Sequence, residues 1–240
     1  TSRGCPGQCT FCSKILGSKL VFKSAVKIFE EIQYLIKTYG IREIIFYDDT
    51  FTVHKDNVIK LCDLIIENNL NIAWTCFARV DFINQKMLEK MKKAGCHQVM
   101  YGVENIDETV LKNINKNINL EQIVNAVKWT KESGIECRLA FMVGNPGDSE
   151  EIIKKNIKFV NKLNPDLLVV NIATPFPGTK MFSWAEEKKL ILTHDWDDYT
   201  LAKPVMKLEN LTAEQIKNLY KLMYKGFYFR PAFILKKIMK

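Results

Sequence analysis

Residues 71–105 read NIAWTCFARVDFINQKMLEKMKKAGCHQVMYGVEN. Three segments of different period lie in this stretch. NIAWTCFARVD (71–81) and HQVMYGVEN (97–105) are short runs of apolar and β-forming residues, the pattern of strands buried in a sheet. Between them, NQKMLEKMKKAG (84–95) sets Met87, Leu88 and Met91 at helical spacing and ends on Gly95, a natural helix stop.

The same unit recurs on both sides. Upstream lie a helical SAVKIFEEIQYLIKTYG (24–40), a strand-like REIIFYDD (42–49) and a helical DNVIKLCDLIIENN (56–69). Downstream come LEQIVNAVKWTKESG (120–134), ECRLAFMVG (136–144), SEEIIKKNIKFVNKL (149–163) and DLLVVNIATP (166–175). Regular alternation of strand and helix predicts an α/β fold, a parallel sheet covered by helices. A doubly wound open sheet and a (β/α) barrel both satisfy it, and both put their chemistry at the C-terminal ends of the strands. Asp48 and Asp49, Arg79, Glu104 and the Gly144–Gly147 turn fall there. Neither a P-loop nor a Rossmann glycine fingerprint is present, which counts against a nucleotide-binding doubly wound sheet.

Beyond about residue 192 the pattern changes. THDWDDYTLAKPV (193–205) is irregular and aromatic, and TAEQIKNLYKLMYKG (212–226) opens with Thr212 and Gln215 spaced as a capping box. RPAFILKKIMK (230–240) reads as a last short helix. The expected organisation is a core domain over residues 1–192 and a mostly helical C-terminal cap over residues 193–240.

With 47% hydrophobic and 26% charged residues in a chain of 240, the composition is that of a globular protein. No run approaches the roughly 20 apolar residues of a membrane span, and no signal peptide precedes the first cysteines, so the expected compartment is cytoplasmic. A net charge of +8 raises an RNA or other polyanion as partner. The lysines are spread along helical patterns, however, and nucleic acid is not the expected ligand. Of seven cysteines, Cys62, Cys76, Cys96 and Cys137 lie far apart in apolar patterns, as buried thiols do.

The other three are crowded into TSRGCPGQCTFCSK (1–14) as Cys5-x3-Cys9-x2-Cys12. Structural zinc needs four protein ligands, and the nearest further candidates, His54 and Cys62, belong to the next strand–helix unit. Three thiols without a fourth favour an iron–sulfur cluster with one iron open to a small-molecule ligand, over zinc or a disulfide.

This spacing, with Phe11 just before the last cysteine, resembles the signature of the radical S-adenosylmethionine (radical SAM) superfamily over roughly residues 1–190. The resemblance implies a partial (β/α)6 TIM-like barrel, a [4Fe–4S] cluster on Cys5, Cys9 and Cys12, and SAM on the open iron. It places Phe11 near the adenine, and FYDDTF (46–51), with Asp48 and Asp49, where the SAM amino group is received. Acids stand there in place of the usual glycines. Glu104 of YGVEN falls at the position contacting the ribose or methionine part of SAM, and Lys116 of NINKNI where a cation meets its carboxylate. FMVGNPGDSEE (141–151) resembles the strand end that packs on adenine. Of two arginines able to enter a barrel, Arg79 is preferred over Arg138, with an ordinary salt bridge as its alternative reading.

TSRGCPxxCTFCS, FYDDTF, WTCFARVD, MYGVEN and ATPFPGT together most resemble the cobalamin-binding branch, which holds methylases and an anaerobic porphyrin cyclase. That resemblance implies reductive cleavage of SAM to a 5′-deoxyadenosyl radical that abstracts hydrogen from a small-molecule substrate. It also implies methylation or cyclisation with cobalamin on a preceding domain, and electrons from flavodoxin or ferredoxin. The first barrel strand is expected to be truncated at Thr1. The alternative is a cluster-stabilised RNA- or polyanion-binding module without radical chemistry.

Overall fold

The computed structural model describes residues 1–239. In chain order the elements are β1 (Ser2–Arg3), β2 (Val21–Phe22), α1 (Ala25–Tyr39), β3 (Glu43–Phe46), α2 (Lys55–Glu67), β4 (Ala73–Ala78), α3 (Gln85–Lys93) and β5 (Cys96–Glu104). They continue with α4 (Glu108–Asn113), α5 (Leu120–Glu132), β6 (Glu136–Val143), α6 (Glu150–Leu163), β7 (Leu167–Ile172), α7 (Lys180–Glu187), α8 (Ala213–Tyr228) and α9 (Pro231–Ile238). Strands β3 to β7 form one parallel sheet in the order β3-β4-β5-β6-β7. A doubly wound sheet reverses its strand order at a switch point; here the order never reverses. The sheet is therefore a run of successive β/α units, the arrangement of a partial barrel.

The chain divides into two compact units, the first made of Thr1–Pro6, Lys14–Val103 and Leu120–Leu139. In it the segment 71–105 folds as its periods predict. Asn84 caps α3 by accepting from the Met87 amide at 2.9 Å. The turn after α3 closes on Gly95 at φ 94°, where a Cβ would stand 2.0 Å from the Ile72 carbonyl oxygen, so only glycine fits. Trp74 of β4 lies fully buried, its indole N–H donating to the Ala94 carbonyl at 2.7 Å. Along β4, Trp74, Cys76 and Ala78 are buried while Ala73, Thr75 and Phe77 alternate with them on the opposite, more open face. Burying side chains such as Trp74, Leu61, Met87 and Leu88 stabilises the unit by about 1.5–3 kcal/mol each. The two-residue strands β1 and β2 pair antiparallel beside the cysteine loop.

The second unit holds Gly7–Ser13, Glu104–Asn119 and the chain from Ala140 onward. The capping box of α8 is formed as its sequence predicts: Thr212 accepts from the Gln215 amide and Gln215 from the Thr212 amide. Helix α8 packs on β7 and on α6, its Gly226 allowing close approach to Ile157. No helix of the described residues is long and apolar enough to cross a membrane.

Candidate functional site

The cysteine loop is a turn held by its own backbone. Gly4 sits at φ 86°, where a Cβ would meet the Lys19 carbonyl oxygen at 2.3 Å. The Cys12 amide donates to the Cys9 carbonyl at 3.3 Å. Cys5 and Cys9 are half-buried and Cys12 is exposed, and among the described residues no cysteine is in a disulfide. The Cys5 thiol lies 3.6 Å from the Thr50 hydroxyl, at the turn after β3. Among the described residues no three His, Cys, Asp or Glu side chains stand together as a metal-holding group. The donor set nevertheless fits an iron–sulfur cluster: three soft thiols within eight residues, no local fourth, and a glycine-built loop.

In the second unit the loop is anchored to the segment that carries Lys116. The Thr10 amide donates to the Ile114 carbonyl at 2.9 Å, and the Asn115 side-chain amide donates to the Gln8 carbonyl at 2.9 Å. Lys116 is buried, with its ammonium 3.1 Å from Glu104 Oε1 and 5.9 Å from the centre of the Phe11 ring. Glu104, the last residue of β5, has φ 68°. A left-handed backbone at a non-glycine residue costs about 1–3 kcal/mol and is retained where the surroundings require it. Two of the candidate SAM residues, Glu104 and Lys116, thus pair directly, and Lys116 also stands over the ring of a third, Phe11.

The two aspartates differ. Asp48 is buried, and its carboxylate accepts from the Thr1 hydroxyl at 2.6 Å, the Ser2 hydroxyl at 2.5 Å and the Ser2 amide. It holds the strand that leads into Cys5. Asp49 is exposed. Arg79, the arginine preferred for the barrel, is instead clamped by Asp81 through Nε at 2.9 Å and Nη2 at 3.0 Å. Arg138 is the one on the open sheet face. It lines a cavity of about 240 Å³ with Tyr47, Phe77 and Met100, and its Nε is buried without a hydrogen-bond partner. On the same face His97 pairs with Glu43 and Gln98 donates to Glu136.

One component was missed by sequence reasoning. Asp148 of the NPGD turn is fully buried and accepts from the Gly144 amide (2.9 Å), the Asn145 amide (2.8 Å) and Asn105 Nδ2 (2.8 Å). Burial pushes its carboxyl up to about 7, against the pull of those N–H donors. Asn105 in turn accepts from the Ile106 and Asp107 amides. The pair ties the end of β5, where Glu104 sits, to the loop after β6. Its signal was a short polar residue closing each of two glycine-containing motifs, YGVEN and NPGD, both of which stand in the sequence at strand ends. A larger groove of about 680 Å³, lined by Pro146, Lys180, Trp184 and Lys188, contains neither a cysteine nor Glu104 or Lys116, and is not this site. Two buried cysteines are chemically quiet: burial pushes Cys62 of α2 up to about 12 and Cys76 of β4 well above its ordinary value.

The profile described as the radical SAM superfamily matches residues 1–160. An uncharacterized methyltransferase of Pyrococcus horikoshii is 40% identical over 99% of this chain and 52% of its own length. The anaerobic magnesium-protoporphyrin IX monomethyl ester cyclase of Rubrivivax gelatinosus is 27% identical over 97% of this chain and 42% of its own length. The chain therefore spans about half the length of the curated relatives it matches. In fold it is similar to the radical SAM methyltransferase TsrM of Kitasatospora setae, solved with cobalamin and a [4Fe–4S] cluster bound. The TM-score is 0.73 at 18% identity, over 93% of this chain and 46% of that one. None of these findings supports the polyanion-binding alternative. Matched by that profile over two thirds of its length and carrying the three-cysteine loop, the chain belongs to the radical SAM superfamily, whose members bind a [4Fe–4S] cluster and SAM.

Proposed function

We propose that this chain is the SAM-cleaving core of an enzyme that methylates or cyclises a small molecule, with cobalamin held by another part of the full-length protein. Cys5, Cys9 and Cys12 would hold the cluster. When bound, cluster and SAM together supply an electron-driven source of a carbon radical able to take hydrogen from an unactivated C–H bond.

The placement of Lys116 between Glu104 and the Phe11 ring carries the reading. Lys116, held by Glu104, is a cation fixed next to the cysteine loop and suited to a carboxylate ligand. Glu104 has a second oxygen for a hydroxyl or ammonium donor. Phe11 offers a ring face to a flat base. Asp49, its carboxylate exposed, is the better partner for an ammonium, and Asp48 positions the Cys5 strand. Residues 193–240 serve as a cap. An electron carrier such as flavodoxin or ferredoxin completes the system, and the setting is cytoplasmic, where thiols stay reduced.

Anaerobic incubation with iron and sulfide, followed by dithionite and SAM, tests this. The expected result is a brown iron–sulfur chromophore and release of 5′-deoxyadenosine and methionine. A chromophore that forms equally in the Cys5→Ala, Cys9→Ala, Cys12→Ala triple variant, or no 5′-deoxyadenosine from the loaded protein, overturns it.

A further inference from the structure

Residues 1–29 contain Arg3, Lys14, Lys19, Lys23 and Lys27 and no acid, although the chain carries 27 acids in all. Within this stretch, Lys14–Gly17 forms a tight turn in which the Gly17 amide donates to the Lys14 carbonyl at 2.8 Å. Turn centres favour glycine, asparagine, aspartate, proline or serine, for backbone reasons. Here they are Ile15 and Leu16, 89% and 50% exposed, with Val21 of β2 also exposed nearby in sequence. Nothing in the local fold calls for two large apolar side chains at that tip.

The tip is fastened to the first cluster cysteine. The Cys5 amide donates to the Gly17 carbonyl at 3.4 Å, and Gly4 is pressed against the Lys19 and Gly17 carbonyls. Whatever covers Ile15 and Leu16 therefore rests on a turn that is hydrogen-bonded to the Cys5 backbone. Lys23 and Lys27 are engaged by Glu31 and Glu30, which leaves exposed Arg3 and Lys19 as the basic flank of the apolar tip.

We propose that the Lys14–Lys19 turn is the landing point of a small acidic one-electron carrier protein. This rests on the SAM-cleaving function proposed above, which requires one electron per cleavage from outside the chain. Electron transfer falls off exponentially with distance, so the carrier must approach the cysteine loop closely. An apolar centre rimmed by cations fits a partner with an apolar redox edge rimmed by carboxylates, and redox encounters use small, short-lived interfaces of this kind. One electron leaves the carrier and enters the cluster, and no atom is exchanged at the contact.

The test compares two electron sources on iron-loaded protein: fully reduced flavodoxin, and dithionite, which needs no docking surface. In Ile15→Ser/Leu16→Ser and in Leu16→Glu/Lys19→Glu, flavodoxin-driven release of 5′-deoxyadenosine should fall about tenfold or more while the dithionite-driven rate holds. Added salt should slow the flavodoxin-driven reaction of the unaltered protein and have little further effect on the charge-reversed variant. Equal flavodoxin-driven rates in variant and parent overturn the docking proposal. So does an equal loss with both reductants, which would make the turn a support for the cluster loop. Failure of the parent with dithionite strikes the proposed function itself and takes this inference with it.

Discussion

At the scale of single residues, the Glu104–Lys116 pair carries the most chemistry and the most risk. Both side chains are buried, and Glu104 holds a left-handed backbone to reach its partner. Removing one member of a buried pair leaves the other charge uncompensated, at about 3–5 kcal/mol. Lys116→Met should therefore lower the urea-unfolding free energy by about 3 kcal/mol. The double variant Glu104→Gln/Lys116→Met should recover most of that loss, because no lone charge remains, yet stay at least about tenfold weaker for SAM in a binding titration of iron-loaded protein. Equal stability of single and double variants would show the pair to be uncoupled. Both residues were singled out by the resemblance alone, Glu104 at the end of β5 and Lys116 in the loop after α4, and their pairing was not legible. Nor were the partners of Asp48 and Arg79. Their roles depend on which neighbour reaches them first, Ser2 in one case and Asp81 in the other, and composition does not carry that.

At the scale of elements, the helices follow from period and caps: Ser24, Asn84, Ser149 and Thr212 each accept from an amide in the first turn. The short pair β1–β2 was hidden, since two residues have no period. Nor does period reveal how the last strand is finished. The Tyr224 hydroxyl takes the Val170 amide at 3.0 Å and gives to the Val170 carbonyl at 3.1 Å; Tyr228 does the same at Leu168, at 3.0 and 2.7 Å. Two tyrosines spaced four apart on α8 thus occupy alternate positions along β7, as a neighbouring strand would. An unpaired edge invites association with other chains. Tyr224→Phe/Tyr228→Phe keeps the rings and deletes four hydrogen bonds worth about 0.5–1.5 kcal/mol each. It should destabilise by about 2–6 kcal/mol, speed hydrogen exchange at the Leu168 and Val170 amides, and raise light scattering on mild heating. Unchanged exchange at those two amides would remove the edge-sealing role.

At the scale of the whole molecule, alternation of strand and helix was enough for the class of fold, but the choice between barrel and doubly wound sheet was made by strand order, a long-range fact that local period does not encode. Global stability has a similarly hidden component in Asp148. Its ordinary value of 3.8 is raised to about 7 by burial, only partly offset by the amides of Asn145 and Gly144 and the Asn105 side chain. The folded protein keeps this proton after the unfolded chain has lost it. Its contribution is fully present below pH 3.8 and is lost as pH rises through about 7. In the window between, stability should fall by up to about 1.4 kcal/mol per pH unit from this group, or about 4 kcal/mol in total. Asp148→Asn keeps an oxygen on the Gly144 and Asn145 amides only by turning its NH2 group onto Asn105 Nδ2, itself a donor, so it should be less stable at low pH by about 1–3 kcal/mol. It should also lose the downward slope between pH 4 and 7. Urea unfolding of both proteins at half-unit pH steps reads the difference directly; parallel curves would mean that Asp148 ionises alike in the folded and unfolded chain.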